Sequence, residues 1–113
     1  RDIAQRRMME AIPKADVVIT NPTHYAVALR YDAARMSAPI VVAKGVELVA
    51  SQIRTVAVAN KVPLYEAPPL ARALYASVEL DEEIPPEHFK AVAEIIGYVM
   101  RLRGEMPSAA AAR

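Results

Sequence analysis

The sequence predicts a single α/β domain: a small mixed sheet of about four strands, flanked by about four helices. Short β-branched runs alternate with amphipathic stretches along the chain. A turn signal between the first two runs allows them to pair antiparallel, which makes the sheet mixed. Hydrophobic residues make up 54% of the 113 and charged residues 24%, so the chain can fill one core but has little length for a second domain.

Four strands are predicted from β-branched or fully apolar runs that end at turn residues. The first two flank the sequence Asn-Pro-Thr-His at residues 21–24, and the third is expected to end where Gly45 breaks it. The predicted strands span residues 16–20, 26–31, 39–43 and 62–67.

Helices are predicted over residues 1–12 and 46–60, and from the proline pairs at residues 68–69 and 85–86. In the second helix, apolar residues recur at spacings of three and four, which predicts a buried stripe made of Val46, Val49, Ile53 and Val56. The last helix is predicted to bury Phe89, Val92, Ile96, Val99 and Met100. Arg101 and Arg103 complement the negative end of its dipole before Gly104.

The chain is interpreted as three stretches: residues 1–15 as an N-terminal helix and the end of a linker, residues 16–104 as the α/β domain, and residues 105–113 as a disordered tail. Arginines at positions 1, 6 and 7 make the first helix basic, as is typical beside the cytoplasmic face of a membrane. An ordinary solvated helix face explains them equally well.

No apolar run approaches the roughly 18 residues that would span a bilayer, and the chain begins with Arg1. We therefore expect a soluble piece of a longer protein.

Composition excludes several classes of site. The chain has no cysteine, which removes disulfide scaffolds, thiolate zinc sites and cysteine nucleophiles. Two histidines and three glycines disfavour a histidine-rich metal site and a phosphate-binding glycine loop. A net charge of +1 argues against a nucleic-acid partner, because phosphate contacts need a clear basic excess. We therefore expect no cofactor and no metal.

The tetrapeptide Asn21-Pro22-Thr23-His24 is the one motif that carries unusual chemistry. Asn and Pro are common in turns for conformational reasons alone. However, Pro22 has no backbone N–H, so the usual deamidation of Asn21 by the following nitrogen is closed. The remaining route has the Asn21 side-chain nitrogen attack its own backbone carbonyl. A succinimide then forms, the Asn21–Pro22 bond breaks, and Pro22 becomes a new N-terminus.

A tight turn between two strands would favour this reaction by holding the attacking geometry, which is worth several kcal/mol. Backbone strain in the turn would add about 1–3 kcal/mol. His24 is the candidate for proton transfer, and Thr23 either polarises the carbonyl or holds the turn. Lys44 either lies near the turn and tunes its charge or is simply solvated, and we expect it to be solvated. The reaction runs once per molecule, so the chain is not expected to be a turnover enzyme.

Four blocks of the chain carry a collinear resemblance: VVITNPTHYAVALRYD, APIVVAKGVELVASQIR, VPLYEAPPLARALY and EIPPEHFKAVAEIIGYV. They resemble the FlhB/YscU family, the self-cleaving export-gate subunit of type III secretion systems, and the resemblance covers residues 6–102. Tyr25 after the motif and the pair Tyr31-Asp32 are similar to the flagellar branch. The equivalent subunit of a virulence injectisome is the close alternative.

The resemblance implies an upstream membrane domain and a place at the cytoplasmic face of the bacterial inner membrane. It implies that Asn21 is the cleaving asparagine, Pro22 the new N-terminus, and Thr23 and His24 the rest of the motif. It also implies that the halves stay associated and that the processed domain takes part in switching export from rod and hook to filament substrates. The implied partners are other export-apparatus subunits and exported flagellar proteins, with a hook-length-control protein as a further candidate.

Two readings of another class remain beside this one. In the first, the chain is a small α/β ligand- or RNA-binding domain in which residues 21–24 are only a turn. In the second, it is a conventional hydrolase, for which the sequence offers no recognisable catalytic constellation. An unbroken chain after prolonged incubation would favour the first of them, and turnover of an added substrate the second.

Overall fold

Four strands form one mixed sheet in the order β3–β2–β1–β4 in the computed structural model, which describes residues 2–104. β1 pairs antiparallel with β2 and parallel with β4, and β2 pairs antiparallel with β3. The strands are β1 (Val17–Asn21), β2 (Tyr25–Arg30), β3 (Ile40–Val46) and β4 (Leu64–Glu66). The predicted mixed four-stranded sheet is confirmed, and β1 is one of its two central strands.

Four helices cover the sheet, as predicted, and two of them carry a single turn of 3-10 helix at one end. The helices are α1 (Asp2–Ala11, followed by a 3-10 turn over Ile12–Lys14), α2 (Glu47–Ala59), α3 (Pro68–Ser77) and α4 (Phe89–Leu102, preceded by a 3-10 turn over Pro86–His88). α3 opens on the predicted proline pair, because proline's missing N–H has no partner in a first helical turn. No helix among these residues is long and apolar enough to cross a membrane.

The two faces of the sheet hold separate apolar cores, because side chains alternate along each strand. On one face Val17, Ile19 and Val27 pack with α3 and α4. On the other face Val18 and Ala28 pack with α1 and α2. β1 is therefore buried on both sides, and each such side chain stabilises the fold by about 1.5–3 kcal/mol.

The far end of the β1–β2 hairpin is fastened by Asp16, which the sequence predicts as the first residue of the strand but which precedes it. Its Oδ2 accepts a hydrogen bond from the Tyr31 N–H at 2.6 Å, and its own N–H donates to the Leu29 carbonyl at 2.8 Å. These contacts fix the register of the pair at the end opposite to residues 21–24.

The prediction that Gly45 ends the third strand is wrong. β3 continues to Val46, and Gly45 pairs with Ala26 of β2. Gly45 lies where α2 crosses the sheet, since a Cβ at this position would come within 2.8 Å of the Val49 Cβ. The missing side chain therefore serves the close approach of helix and strand, and not a strand break.

Two predicted helix faces also need correction. In α2 the buried residues are Ala50, Ile53 and Ala57, whereas three of the four predicted residues, Val46, Val49 and Val56, are half-buried. In α4 Phe89 is 42% exposed, while Val92, Ile96, Val99 and Met100 are buried as predicted. Phe89 has the spacing of the buried stripe, but it is the first residue of α4 and follows directly on the 3-10 turn. β4 is also shorter than predicted, and the predicted tail at 105–113 lies outside the described residues.

Gly45→Ala should lower the free energy of unfolding by about 1–3 kcal/mol. The new methyl group would overlap the Val49 side chain and would lie 3.3 Å from the Val49 carbonyl carbon, which cannot move away easily. Gly97→Ala is the matched control. Its Cβ would meet only the flexible end of Arg101, at 3.2 Å, and it lies inside α4, so we expect a gain of about 0.5–1 kcal/mol. Urea unfolding of the two variants measures the difference, and equal stabilities would contradict the packing assigned to Gly45.

Candidate functional site

Residues 21–24, the NPTH turn, close the β1–β2 hairpin. Asn21 is the last residue of β1 and pairs with Tyr25, the first residue of β2, so three residues reverse the chain. The His24 N–H donates to the Asn21 carbonyl oxygen at 2.9 Å. Proline at the second position and a positive φ at the third are the pattern of a type II turn.

Thr23 holds the strained position of this turn. Its φ is +72°, in the left-handed region that favours glycine and that β-branched residues rarely adopt. Such a conformation costs about 1–3 kcal/mol and persists only where the surroundings enforce it. The paired strands on either side enforce it here, and breaking the chain inside the turn would release it.

The hydrogen bond within the turn is accepted by the Asn21 carbonyl oxygen. This carbonyl belongs to the Asn21–Pro22 peptide bond. A fixed N–H donor at a carbonyl oxygen draws electron density from the carbon and stabilises negative charge that develops on the oxygen during nucleophilic attack. The His24 backbone therefore polarises the Asn21–Pro22 peptide bond.

The four residues of the turn differ in their surroundings. Asn21 is half-buried, and strand alternation places it on the α3/α4 face of the sheet with Ile19 and beside Tyr25. Pro22, Thr23 and His24 are exposed. The side-chain amide thus starts from the α3/α4 face of the sheet, whereas the rest of the turn faces solvent.

A second segment, the first residue of α2, contacts the turn through both main chain and side chain. The Glu47 N–H donates to the His24 carbonyl at 2.9 Å. The Glu47 Oε2 lies 3.1 Å from the His24 Nδ1. Glu47 itself has a φ of +49°, so the residue that contacts His24 also lies in the left-handed region, like Thr23.

Two tyrosines and Lys44 fasten the base of the turn to the end of α3. The rings of Tyr25 and Tyr75 meet edge to face at 5.5 Å between centroids. The Lys44 Nζ donates to the Tyr75 carbonyl at 2.9 Å and lies 5.0 Å from the centre of its ring. The expectation that Lys44 is solvated is therefore wrong, because its charge caps the last turn of α3.

The sequence predicts the four residues of the turn as one unit, and the structure brings them together. It does not predict Glu47, whose contact with His24 depends on how far β3 runs. Val46 pairs with Tyr25, so α2 begins beside the turn. Only the register of β3 on β2 could have indicated the contact between His24 and Glu47. The two residues are distant in sequence, and Gly45 suggested that the strand ends earlier.

The mixed four-stranded sheet and the turn at residues 21–24 define one class of small α/β domain. Comparison with known proteins shows which family has this domain. The family model described as "FlhB HrpN YscU SpaS Family" matches residues 1–99. The chain belongs to this family.

Relatives in the flagellar branch are the more similar ones. The flagellar biosynthetic protein FlhB of Salmonella typhimurium is 56% identical over 103 residues, which cover 91% of this chain but 27% of that protein. The chain thus spans about a quarter of the length of that relative. The crystal structure of the cytoplasmic domain of FlhB from Shewanella putrefaciens is 52% identical, with a TM-score of 0.84 over 88% of this chain and 76% of that one.

A more distant set of solved structures concerns the C-terminal domain of EscU. One variant, with alanine in place of an asparagine, is 32% identical to this chain, with a TM-score of 0.78 over 80% of this chain and 91% of that one. Other EscU structures carry alanine at the proline directly after that asparagine and at a histidine three positions after it. This is the spacing of Asn21, Pro22 and His24.

Lys44→Met should lower the free energy of unfolding by about 1–2 kcal/mol, because it removes a charge-assisted hydrogen bond and a cation–π contact while keeping the apolar stem. Lys90→Met on the exposed side of α4 is the control and should change stability by less than about 0.5 kcal/mol. Thermal unfolding of both variants tests this expectation. A loss for Lys44→Met no larger than for Lys90→Met would show that the Lys44–Tyr75 contact contributes nothing.

Proposed function

We propose that this chain is the self-cleaving cytoplasmic domain of a flagellar export-gate protein, and that it breaks its own Asn21–Pro22 bond once per molecule. The observation that carries the proposal is the hydrogen bond from the His24 N–H to the Asn21 carbonyl, in a turn that Thr23 closes at a strained φ. Together they polarise the bond to be attacked and store energy that its breakage releases.

The reaction needs only atoms of the chain itself. The Asn21 side-chain nitrogen attacks the Asn21 carbonyl carbon, and the carbonyl oxygen gains negative charge while it accepts from the His24 N–H. The bond from that carbon to the Pro22 nitrogen then breaks. One proton passes from the attacking nitrogen to the Pro22 nitrogen. The products are a chain that ends in a succinimide and a chain that begins with the secondary amine of Pro22, and no water is consumed.

His24 is the residue assigned to the proton transfer. Its imidazole is exposed beside the turn, and an imidazole has one nitrogen that can accept a proton and one that can donate. It can therefore accept a proton from the attacking amide and return it to the leaving Pro22 nitrogen. Thr23 contributes by its conformation, and the polarising donor in the uncleaved turn is the His24 backbone.

After scission the two pieces should remain one folded domain. β1 belongs to the first piece, and its partners β2 and β4 belong to the second. Val17, Val18 and Ile19 stay buried between the two helical layers. The hydrogen bonds of both ladders and the burial of these side chains do not depend on the broken bond. Cleavage therefore changes the surface at the turn and leaves the core intact.

The flagellar assignment rests on similarity. Identity with the flagellar relatives is 45–56%, against 31–32% with the EscU domains. We propose a location at the cytoplasmic face of the bacterial inner membrane, contacts with other export subunits and exported proteins, and a part in switching from rod and hook to filament substrates. The opened turn, with Pro22 as a free N-terminus, would be the surface that distinguishes the processed state.

Asn21→Ala should abolish scission, because it deletes the attacking nitrogen. Asn21→Asp is the second variant: it keeps the shape of the side chain and replaces that nitrogen with oxygen, so it should also stay intact. Asn60→Ala, on the exposed cap of α2, is the control and should cleave at the wild-type rate. Denaturing mass spectrometry over a time course measures the intact fraction. Scission of either Asn21 variant at the wild-type rate would overturn the proposed nucleophile.

Pro22→Ala should divert the reaction and not merely slow it. The backbone N–H that this substitution introduces can attack the Asn21 side chain, so ammonia leaves and the chain stays whole. Hydrolysis of that succinimide leaves aspartate or isoaspartate at position 21, which peptide mapping detects. Fragments formed at the wild-type rate, with no isoaspartate, would contradict the role given to the proline.

A further inference from the structure

We propose that Glu47 is a positioning residue for the self-cleavage, holding the His24 imidazole with its proton on Nδ1 so that Nε2 is the basic nitrogen. This inference rests on the proposed function and deepens it by assigning the proton-carrying atom and the residue that fixes it. The sequence of residues 21–24 alone could not indicate this role, because Glu47 belongs to α2 and not to the turn.

Two hydrogen-bond contacts join His24 and Glu47, one through the main chain and one through the imidazole ring. The Glu47 N–H holds the His24 carbonyl at 2.9 Å, which sets the position of the backbone. The Glu47 Oε2 meets the His24 Nδ1 at 3.1 Å, which sets the rotation of the ring. The pairing of Val46 with Tyr25 brings both contacts into place, because each of these residues adjoins one member of the pair in sequence.

The backbone at Glu47 is unfavourable for a residue with a side chain. Its φ of +49° lies in the region that glycine adopts freely. A glycine would keep the main-chain contact to His24 and relieve the strain, but it would remove the carboxylate. The side chain is thus present at a conformational cost, and the contact it makes is with the His24 ring.

The direction of the side-chain hydrogen bond determines the tautomer. An ionised carboxylate only accepts, so the proton of the contact belongs to Nδ1. In neutral imidazole the other nitrogen, Nε2, then carries the free lone pair. A histidine without such a partner divides between the two tautomers. Glu47 therefore increases the fraction of molecules in which Nε2 can take the proton from the attacking amide.

The effect on rate should be modest, because both side chains are largely exposed, at 60% for His24 and 69% for Glu47. A single exposed hydrogen bond to a carboxylate corresponds to a change of about two- to fivefold in rate. Glu47→Ala and Glu47→Gly should both slow scission by this factor. Glu47→Gln should cleave faster than either, because its amide oxygen still accepts from Nδ1–H.

The first measurement is the tautomer of His24 by long-range proton–nitrogen correlation in an Asn21→Ala background, which keeps the turn unbroken. We expect the Nδ1–H form to dominate, Glu47→Ala to shift the population towards Nε2–H, and Glu47→Gln to restore part of it. His88, whose Nε2 lies 3.5 Å from the Glu87 carboxylate, is the internal control and should not change. An unchanged His24 spectrum in Glu47→Ala would overturn the inference.

The second measurement is the scission rate in a cycle of Glu47→Ala, His24→Ala and the double variant. If Glu47 acts through His24, the double variant should cleave no more slowly than His24→Ala alone. Glu66→Ala on the exposed face of β4 is the matched surface control. A wild-type chain that cleaves while Glu47→Ala keeps its rate would refute the inference and leave the proposed function standing. A wild-type chain that stays intact would refute the proposed function itself.

Discussion

The reversal of the chain between Asn21 and Tyr25 is the constraint on which the rest of the site depends. These two residues are paired on adjacent strands, and only the three residues 22–24 connect them. That requirement places Thr23 at a positive φ and brings the His24 N–H onto the Asn21 carbonyl oxygen. One geometric demand thus produces both the strain and the polarised bond that the proposed chemistry uses.

The same sheet explains why a cut in the turn is compatible with a folded domain. β1 lies between β2 and β4, and its buried side chains contact helices on both faces. Asp16 fastens the far end of the hairpin through the Tyr31 N–H, at a distance from the turn. Because these contacts do not pass through the Asn21–Pro22 bond, the proposed scission would relieve the strain at Thr23 without releasing β1.

Much of this arrangement could be predicted from local sequence patterns, and what could not depends on long-range packing. Alternating β-branched runs predict β1 and β2, and the Asn-Pro pair predicts the turn between them. The strand end predicted at Gly45 is wrong because the close approach of Val49 from α2 is not visible in sequence. The burial predicted for Phe89 is wrong although its spacing fits the stripe, because periodicity does not indicate how far the packing of a helix extends towards its first residue. Glu47 escapes prediction because its contact with His24 requires the register of β3 on β2.

The most direct test of this account compares the denatured and native masses of the freshly purified wild-type chain. Self-cleavage with retention of β1 predicts two species under denaturing conditions, one ending at Asn21 and one beginning at Pro22, and a single species of 12.3 kDa under native conditions. One intact species that persists in denaturant through days of incubation would contradict self-cleavage. Two fragments that also separate under native conditions would contradict the retention of β1 in the sheet.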